Sequence, residues 1–379
     1  MERAFLRFCG PGVPELPAAV PCGDGAVRDH RLAGLVEAFC FHAHGLLHEE
    51  EPGSEARLAA CAFLADYGFD LAKLAELPVG LVVTPNAMKQ RLLAAGFTQE
   101  EVRESKLVAD QRLAGRLVGP ITDPAGGITS FWARHPADRQ PTYLYWHGDW
   151  RQHVAAFGLQ SALRAADDAA APVVLVEDIL DALLLRSKGL CSVAAVGESL
   201  RRLNASRWER LAAAGARHVT LVADNRERAE ARLLAALESA FAAEAVPSID
   251  AVPPERLASA RTPGGLVRSQ GLGAFCRILE AGRVHAYTLK AHAVLRAHLP
   301  RRGWTDVSRR AAMQEAVAFY RQMSARRGDT AGLDAHFVPP IVEALGWPWG
   351  APEAPFVPRP SAGYCALHRC GETDCFCFD

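Results

Sequence analysis

Between residues 172 and 243 short apolar runs alternate with longer runs at helical spacing, and this rhythm limits the fold more than any other feature. "PVVLV" (172–176) reads as a strand, "DILDALLLRSKG" (178–189) as a helix closing on Gly189, and "CSVAAVG" (191–197) as a strand. "LNASRWERLAAAG" (203–215) reads as a helix closing on Gly215, "HVTLVAD" (218–224) as a strand, and "ERAEARLLAALESAFAA" (227–243) as a helix. Strands that alternate with helices predict an α/β unit, a parallel sheet covered on both faces.

In such sheets ligands bind beyond the carboxyl ends of the strands. Three of the strands end in polar or acidic residues: Glu177-Asp178, Gly197-Glu198 and Asp224-Asn225. If the strands are neighbours, Glu177 and Asp224 converge at one rim, with Asp181 one helical turn further on. Carboxylates held together raise one another's pKa, and a divalent cation removes that conflict. Hard oxygen ligands suit Mg²⁺ or Mn²⁺, and Mg²⁺ held this way also takes substrate phosphates. The pattern points to phosphoryl-transfer chemistry, with Glu177, Asp224 and Asp181 as catalytic candidates and Glu177 and Asp224 as metal ligands. Plainer roles exist for the same acids: Asp178 as a helix N-cap, Asp181 as a first-turn acid, Asp224 as a turn residue. Asp250, in "PSIDAV", is a further candidate acid on position alone.

The flanks divide the chain further. Residues 1–54 read as an irregular segment rich in Gly and Pro. Residues 55–168 hold helices and a hairpin: Ser54 is an N-cap, Thr98 and Glu101 form a capping-box pattern, and Leu117–Ile121 pairs with Ile128–Trp132 across Asp123-Pro124-Ala125-Gly126-Gly127. The alternating unit occupies 169–250. Residues 251–345 read as helical and basic, with eight arginines against two acids between Arg296 and Arg327. Such a patch suits a phosphate backbone or a solvated helix face. A Pro-rich linker and a Cys-rich tail fill 346–379.

That tail, "YCALHRCGETDCFCFD", offers Cys365, His368, Cys370, Cys375 and Cys377 within thirteen residues. Zn²⁺ takes four such ligands in a tetrahedron, so a zinc knuckle with one spare ligand is expected. Free thiols, or a set completed by Cys40, His42, His44 and His48, are the alternatives. The chain has 379 residues, a net charge of -1 and ten cysteines, four of them in the tail. That length suits two or three domains. No apolar run is long enough to span a bilayer, and the start lacks the basic flank and apolar core of a signal peptide, so a reducing, cytoplasmic setting away from membranes is expected.

The stretch "VVLVEDILDALLL…VAAVGES…VTLVADNRERAEARLL" resembles a toprim domain, in which one strand ends in Glu, the next helix carries an Asp, and a later strand ends in Asp-x-Asp. Upstream, "ARLAACAFLADYGFDLAKLAEL", "DQRLAGRLVGPITDPAGGITSFWARH", "QPTYLYW" and "AAFGLQSA" are similar, in order and spacing, to the bacterial primase catalytic core. The resemblance covers roughly residues 56 to 245. It implies a toprim-like sheet flanked by helices, preceded by a mixed α+β subdomain and followed by a mainly helical region. It also implies metal-dependent nucleotidyl transfer on single-stranded DNA for primer synthesis in replication. Nucleotides would be substrates, a replicative helicase a candidate partner, and Arg112, Arg116, Arg134 and Tyr143 the nucleic-acid- and nucleotide-binding residues. Arg139 and Arg151, with Trp132, Tyr145 and Trp146, would extend a basic, aromatic groove. The sequence departs from that family in three places. Arg226 stands where Asp-x-Asp has its second acid, Thr142 replaces a lysine, and no Cys-x-x-His…Cys-x-x-Cys ribbon occurs in residues 1–50. A non-catalytic toprim accessory protein of a mobile-element or helicase-linked module, or a toprim-type nuclease, are the other readings.

Overall fold

The computed structural model describes residues 24–48, 54–122, 127–137, 140–146, 155–300, 303–328 and 330–346, with the backbone alone for 24–30. Among the described residues two sheets organise the fold, one of four strands and one of five.

The first sheet is antiparallel, in the order β1 (Gly80–Val82), β2 (Arg116–Thr122), β3 (Ile128–Arg134) and β4 (Tyr143–Tyr145). The expected hairpin is β2–β3, registered from Leu117 opposite Arg134 to Thr122 opposite Ile128, with an irregularity at Ile121/Thr122. Its turn, residues 123–126, lies outside the described residues. Helix α2 (Glu55–Asp66) begins on Ser54, whose side chain accepts from the Arg57 N–H. Helix α3 (Pro85–Ala94) precedes α4 (Gln99–Ser105), which opens on the full Thr98/Glu101 capping box. Residues 71–76, expected to continue a helix, form only a 3-10 segment.

One expectation fails in this half. Residues 1–54 are not irregular throughout, because Asp24–His48 form helix α1. Leu35, Val36, Phe39, Ala43 and Leu47 bury an apolar stripe, four of them in one core with Val82, Val118 and Phe131. Phe39 stacks on Phe131 with ring centroids 4.7 Å apart. The helix comes so close to β1 that a Cβ on Gly80 would lie 2.3 Å from the Ala43 backbone.

The second sheet has the order β6-β5-β7-β8-β9. Strands β5 (Val173–Val176), β6 (Val193–Ala195), β7 (His218–Val222) and β8 (Ser248–Val252) are parallel, and β9 (Val284–His285) runs antiparallel to β8. The expected parallel sheet is therefore present, and it extends past residue 250 through β9. Helices α5 (Leu159–Ala169), α6 (Ile179–Ser187), α7 (Ala205–Ala213) and α8 (Ala229–Ala242) accompany it. Gly189 and Gly215, at φ +109 and +98, close α6 and α7 as expected of C-terminal glycines. Trp208 on α7 is fully buried and donates to the Ala236 carbonyl, 3.1 Å away, tying α7 to α8.

Helices α9 (Pro263–Gln270), α10 (Leu272–Ala281), α11 (Ala286–His298), α12 (Asp306–Arg327), α13 (Thr330–His336) and α14 (Val338–Leu345) complete the described fold. Among the described residues, four arginines of the basic run are spent on this packing. Arg326 donates to the carbonyls of Phe241 and Ala242 at 3.2 and 3.0 Å, and Arg327 to that of Ala240, so both cap the end of α8. Arg309 reaches the Leu345 carbonyl at 3.3 Å, and Arg296 pairs with Glu230. Orphan carbonyls at a helix C-terminus attract cations, which explains this use. Among the described residues no helix is long and apolar enough to cross a membrane.

Candidate active site at the strand ends

Strand β5 lies between β6 and β7, and Val176 is in register with Val222. The chain leaves both strands at the same rim. Glu177 and Asp224 therefore meet as their positions in the sequence predict: the Asp224 N–H donates to Glu177 Oε2 at 3.0 Å. Glu177, Asp181 and Asp224 are all buried.

The three acids differ in what satisfies them. Glu177 is fully engaged. Its Oε1 accepts from the Leu200 N–H at 2.7 Å and from Arg232 Nε at 3.3 Å, and its Oε2 from Arg232 Nη2 at 3.3 Å besides Asp224. Asp224 Oδ2 pairs with Arg226 Nε at 3.3 Å across a largely exposed arginine, whereas its Oδ1 is buried with no hydrogen-bond partner. Asp181 Oδ1 accepts from the Tyr67 hydroxyl at 2.7 Å, and its Oδ2 is likewise buried without a partner. Asp178 is the helix N-cap, its Oδ1 accepting from the Leu180 N–H at 2.7 Å and from the Tyr143 hydroxyl at 2.9 Å.

Burial pushes Asp224 up to about 8, helped by the charges of Asp181 and Glu177 and opposed by Arg226. Asp181 is raised as well, by burial and by Asp178, while the Tyr67 hydroxyl and the Gly264 N–H favour its charged form. Gly264 is the second residue of α9, whose N-terminus points at Asp181 so closely that a Cβ there would lie 2.0 Å from Oδ1. The acid sits where the helix's partial positive charge is strongest.

This fixes which residues suit a metal. Glu177, expected as a ligand, has both oxygens filled by protein donors. Asp181 and Asp224 each keep one buried oxygen without a donor and hold their protons too tightly for ordinary carboxylates, which are marks of a cation-hungry pair. Two carboxylates supplemented by water and substrate phosphates are an ordinary Mg²⁺ set. Among the described residues no three His, Cys, Asp or Glu side chains converge as a metal cluster. On α1 the His44 and His48 rings are tilted against each other with centroids 4.3 Å apart. Cys365, His368, Cys370, Cys375 and Cys377 lie outside the described residues, as do Arg139 and Arg151. Asp250 does not join the rim. It faces the opposite end of the sheet, where its Oδ2 contacts His218 Nε2 at 2.9 Å.

The groups expected to hold nucleic acid are distributed differently from expectation. Arg116 and Arg134 are buried, 3% and 8% exposed. Arg116 donates to the carbonyls of Arg112 and Thr142 at 2.7 and 3.1 Å. Arg134 lies over the rings of Phe63, Tyr67 and Tyr143, 5.0 to 5.6 Å from their centroids. Tyr143 is turned inward to Asp178, Trp132 is in the core, and the Tyr145 hydroxyl donates to the Gly197 carbonyl. Among the described residues, Arg112 is the one expected arginine that is exposed, in a surface pair with Asp110 at 2.7 Å. Exposed pairs contribute little, so Arg112 can exchange that partner for a phosphate.

Sequence reasoning missed Tyr67, Arg232 and Gly264. The six-residue spacing that sets Arg226 and Arg232 around the α8 start carries no signal of its own, and Tyr67 and Gly264 reach Asp181 only through tertiary structure.

No protein-family model matches the sequence, and no curated protein does. Solved structures do match. The DnaG primase catalytic domain bound to ssDNA superposes with a TM-score of 0.66 at 20% identity, over 85% of this chain and 98% of that one. The RNA polymerase domain of Mycobacterium tuberculosis primase DnaG, in complex with a double-stranded DNA oligomer bearing a 6-nucleotide overhang, gives 0.63 at 20% identity, over 84% and 98%. The E. coli primase catalytic core gives 0.60 at 20% identity, over 81% and 97%. The fold of this chain is that of the bacterial primase catalytic core.

Proposed function

We propose that this chain is a primase-like protein that acts on single-stranded DNA, with nucleotidyl transfer at the Asp181–Asp224 rim. The observation that carries the reading is the pair of buried, donorless carboxylate oxygens at the carboxyl ends of a parallel sheet, in this fold. Asp181 and Asp224 would hold one Mg²⁺ or Mn²⁺, which supplies charge neutralisation for the phosphates of an incoming nucleotide. The protein's own part is positional. Tyr67 fixes the Asp181 carboxyl, Glu177 clamps the Asp224 backbone, and Arg232 balances Glu177. Arg112 is the exposed cation for template phosphate.

A second reading is favoured by Arg226 and Arg232, which neutralise Asp224 and Glu177 from within the chain. It is a toprim protein that binds single strands without synthesis. A single-stranded template with labelled nucleotides and Mn²⁺ separates the readings. Template-dependent oligomers that vanish in Asp224→Asn support synthesis, retention on the strand without products supports the accessory role, and a shortened template indicates a nuclease. Synthesis that survives Asp224→Asn at full rate sinks the first reading. The tail is proposed to hold zinc through four of Cys365, His368, Cys370, Cys375 and Cys377. Near one zinc per purified chain, lost in the Cys370→Ser/Cys375→Ser variant, is the expected result.

A further inference from the structure

The end of the second sheet opposite the acid rim carries its own group of ionisable side chains. Residues paired across neighbouring strands point to the same face. His218 on β7 is in register with Ser248 on β8, and Asp250 on β8 with His285 on β9. These four share one face and line an open bowl of about 530 Å³. Arg283, just before β9, and His336, the last residue of α13, complete its wall. The Thr288 hydroxyl donates to the His336 carbonyl at 2.8 Å and holds the end of α13 against the start of α11.

The polar groups here are spent unequally. His218 Nε2 lies 2.9 Å from Asp250 Oδ2, and this hydrogen bond holds the Asp250 carboxyl below the usual carboxylate range. Asp250, the one acid among the lining residues, is thus charged and already engaged. Arg283 Nη1 stands 3.9 Å from the same oxygen, beyond hydrogen-bond distance, on an exposed residue. His285 Nδ1 accepts the Tyr287 N–H at 3.2 Å, so the ring's hydrogen is on Nε2. The His336 ring stacks on it, with centroids 4.1 Å and planes 15° apart. A guanidinium and imidazole N–H groups around one engaged carboxylate select an anion. A metal would need the lone pair that His285 has committed to its helix cap. Asp250 in the wall repels a run of phosphates, so a single small oxyanion fits the bowl better than a strand.

We propose that this bowl binds a small oxyanion, a phosphate or carboxylate group, on the Arg283 guanidinium and the ring N–H groups of His285 and His336. The anion has two sources, a free ion or an acidic side chain on a protein partner.

Nuclear magnetic resonance of the full chain with isotope-labelled histidine reads the rings directly, in sodium phosphate against sodium chloride at matched ionic strength. The samples contain no metal, nucleotide or template, so failure of this site is distinguishable from failure of the proposed activity. Phosphate is expected to shift the His285 and His336 signals saturably, and chloride to leave them in place. Arg283→Gln and His336→Ala, both at exposed positions, should each weaken phosphate, the first about tenfold, as loss of a charge-assisted hydrogen bond does. A glutamate-rich peptide that displaces phosphate identifies a partner's carboxylate; a peptide that does not identifies a free ion. The proposal is overturned if phosphate and chloride shift the rings alike, or if neither variant weakens phosphate.

Discussion

The Tyr67 hydroxyl donates to Asp181 Oδ1 at 2.7 Å, joining residues 114 positions apart and locking the helical half of the first unit onto the acid rim of the second. Arg134 and Arg268 both lie over the Tyr67 ring, 5.6 and 4.9 Å from its centroid, so the phenol is held from two sides. Tyr67→Phe keeps the ring and its cation contacts and removes one hydrogen bond. Loss of a donor to a buried carboxylate costs about 1–3 kcal/mol. Asp181 then holds its proton more tightly, because the hydroxyl favours the charged form. Mn²⁺ binding, followed by electron paramagnetic resonance, is expected to weaken about tenfold at pH 7 and to recover as pH rises. A variant with wild-type Mn²⁺ affinity at pH 7 would separate Tyr67 from the rim.

Asp224 gives a pH signature. Its folded pKa, about 8, lies above the ordinary carboxylate value, so between about pH 4 and 8 the folded chain binds the proton that the unfolded chain has released. Stability from this group is therefore fully present at low pH and is lost as pH rises through 8, by at most about 1.4 kcal/mol per unit. Asp224→Asn removes the titration. Chemical denaturation at pH 6, 7, 8 and 9 should show the variant gaining on wild type as pH rises, and millimolar Mg²⁺ should narrow the gap at pH 9. A constant difference across that range contradicts the assignment.

The sequence carried the sheet and the convergence of Glu177 with Asp224 because both are local consequences of strand ends. Val173–Val176 is apolar throughout, His218–Val222 is apolar apart from His218 and the buried Thr220, and parallel neighbours place equivalent ends at one rim. The roles of the acids were not legible, since they depend on donors far away in the chain: Arg232 for Glu177, Tyr67 and Gly264 for Asp181. Helix α1 did carry a signal, an apolar stripe at Leu35, Val36, Phe39, Ala43 and Leu47, hidden behind the Gly- and Pro-rich residues before it. Arg116 and Arg134 show the opposite case: arginine reads as a surface cation by type, yet both are buried, Arg116 on the carbonyls of Arg112 and Thr142 and Arg134 over the Phe63 ring.

Gly264 tests how closely α9 must approach. A methyl at this position would fall 2.0 Å from Asp181 Oδ1 and 2.9 Å from its Cγ, a contact that only movement of α9 or Asp181 relieves. Gly264→Ala is expected to cost about 1–3 kcal/mol, as overpacking does, and to disturb metal binding as well. Thermal unfolding with and without Mn²⁺ measures both. An alanine variant that melts and binds Mn²⁺ like wild type would mean that the helix start is free to shift.

Arg232 offers the sharpest test of the rim's internal charge balance. Its guanidinium meets both oxygens of Glu177 at 3.3 Å and also donates to the Asp224 carbonyl at 2.8 Å, with both side chains mostly buried. Removing one member of such a pair leaves the other charge uncompensated, which typically costs about 3–5 kcal/mol, whereas replacing both is far milder. Arg232→Met should therefore be strongly destabilising, and Glu177→Gln added to it should restore much of the loss. The same cycle speaks to chemistry. With Arg232 gone, Glu177 becomes available to a cation, so Mn²⁺ should stabilise Arg232→Met more than it stabilises wild type. Additive losses in the double variant, together with an identical Mn²⁺ response in all four proteins, would show that the two residues act independently and that Glu177 has no part in cation binding.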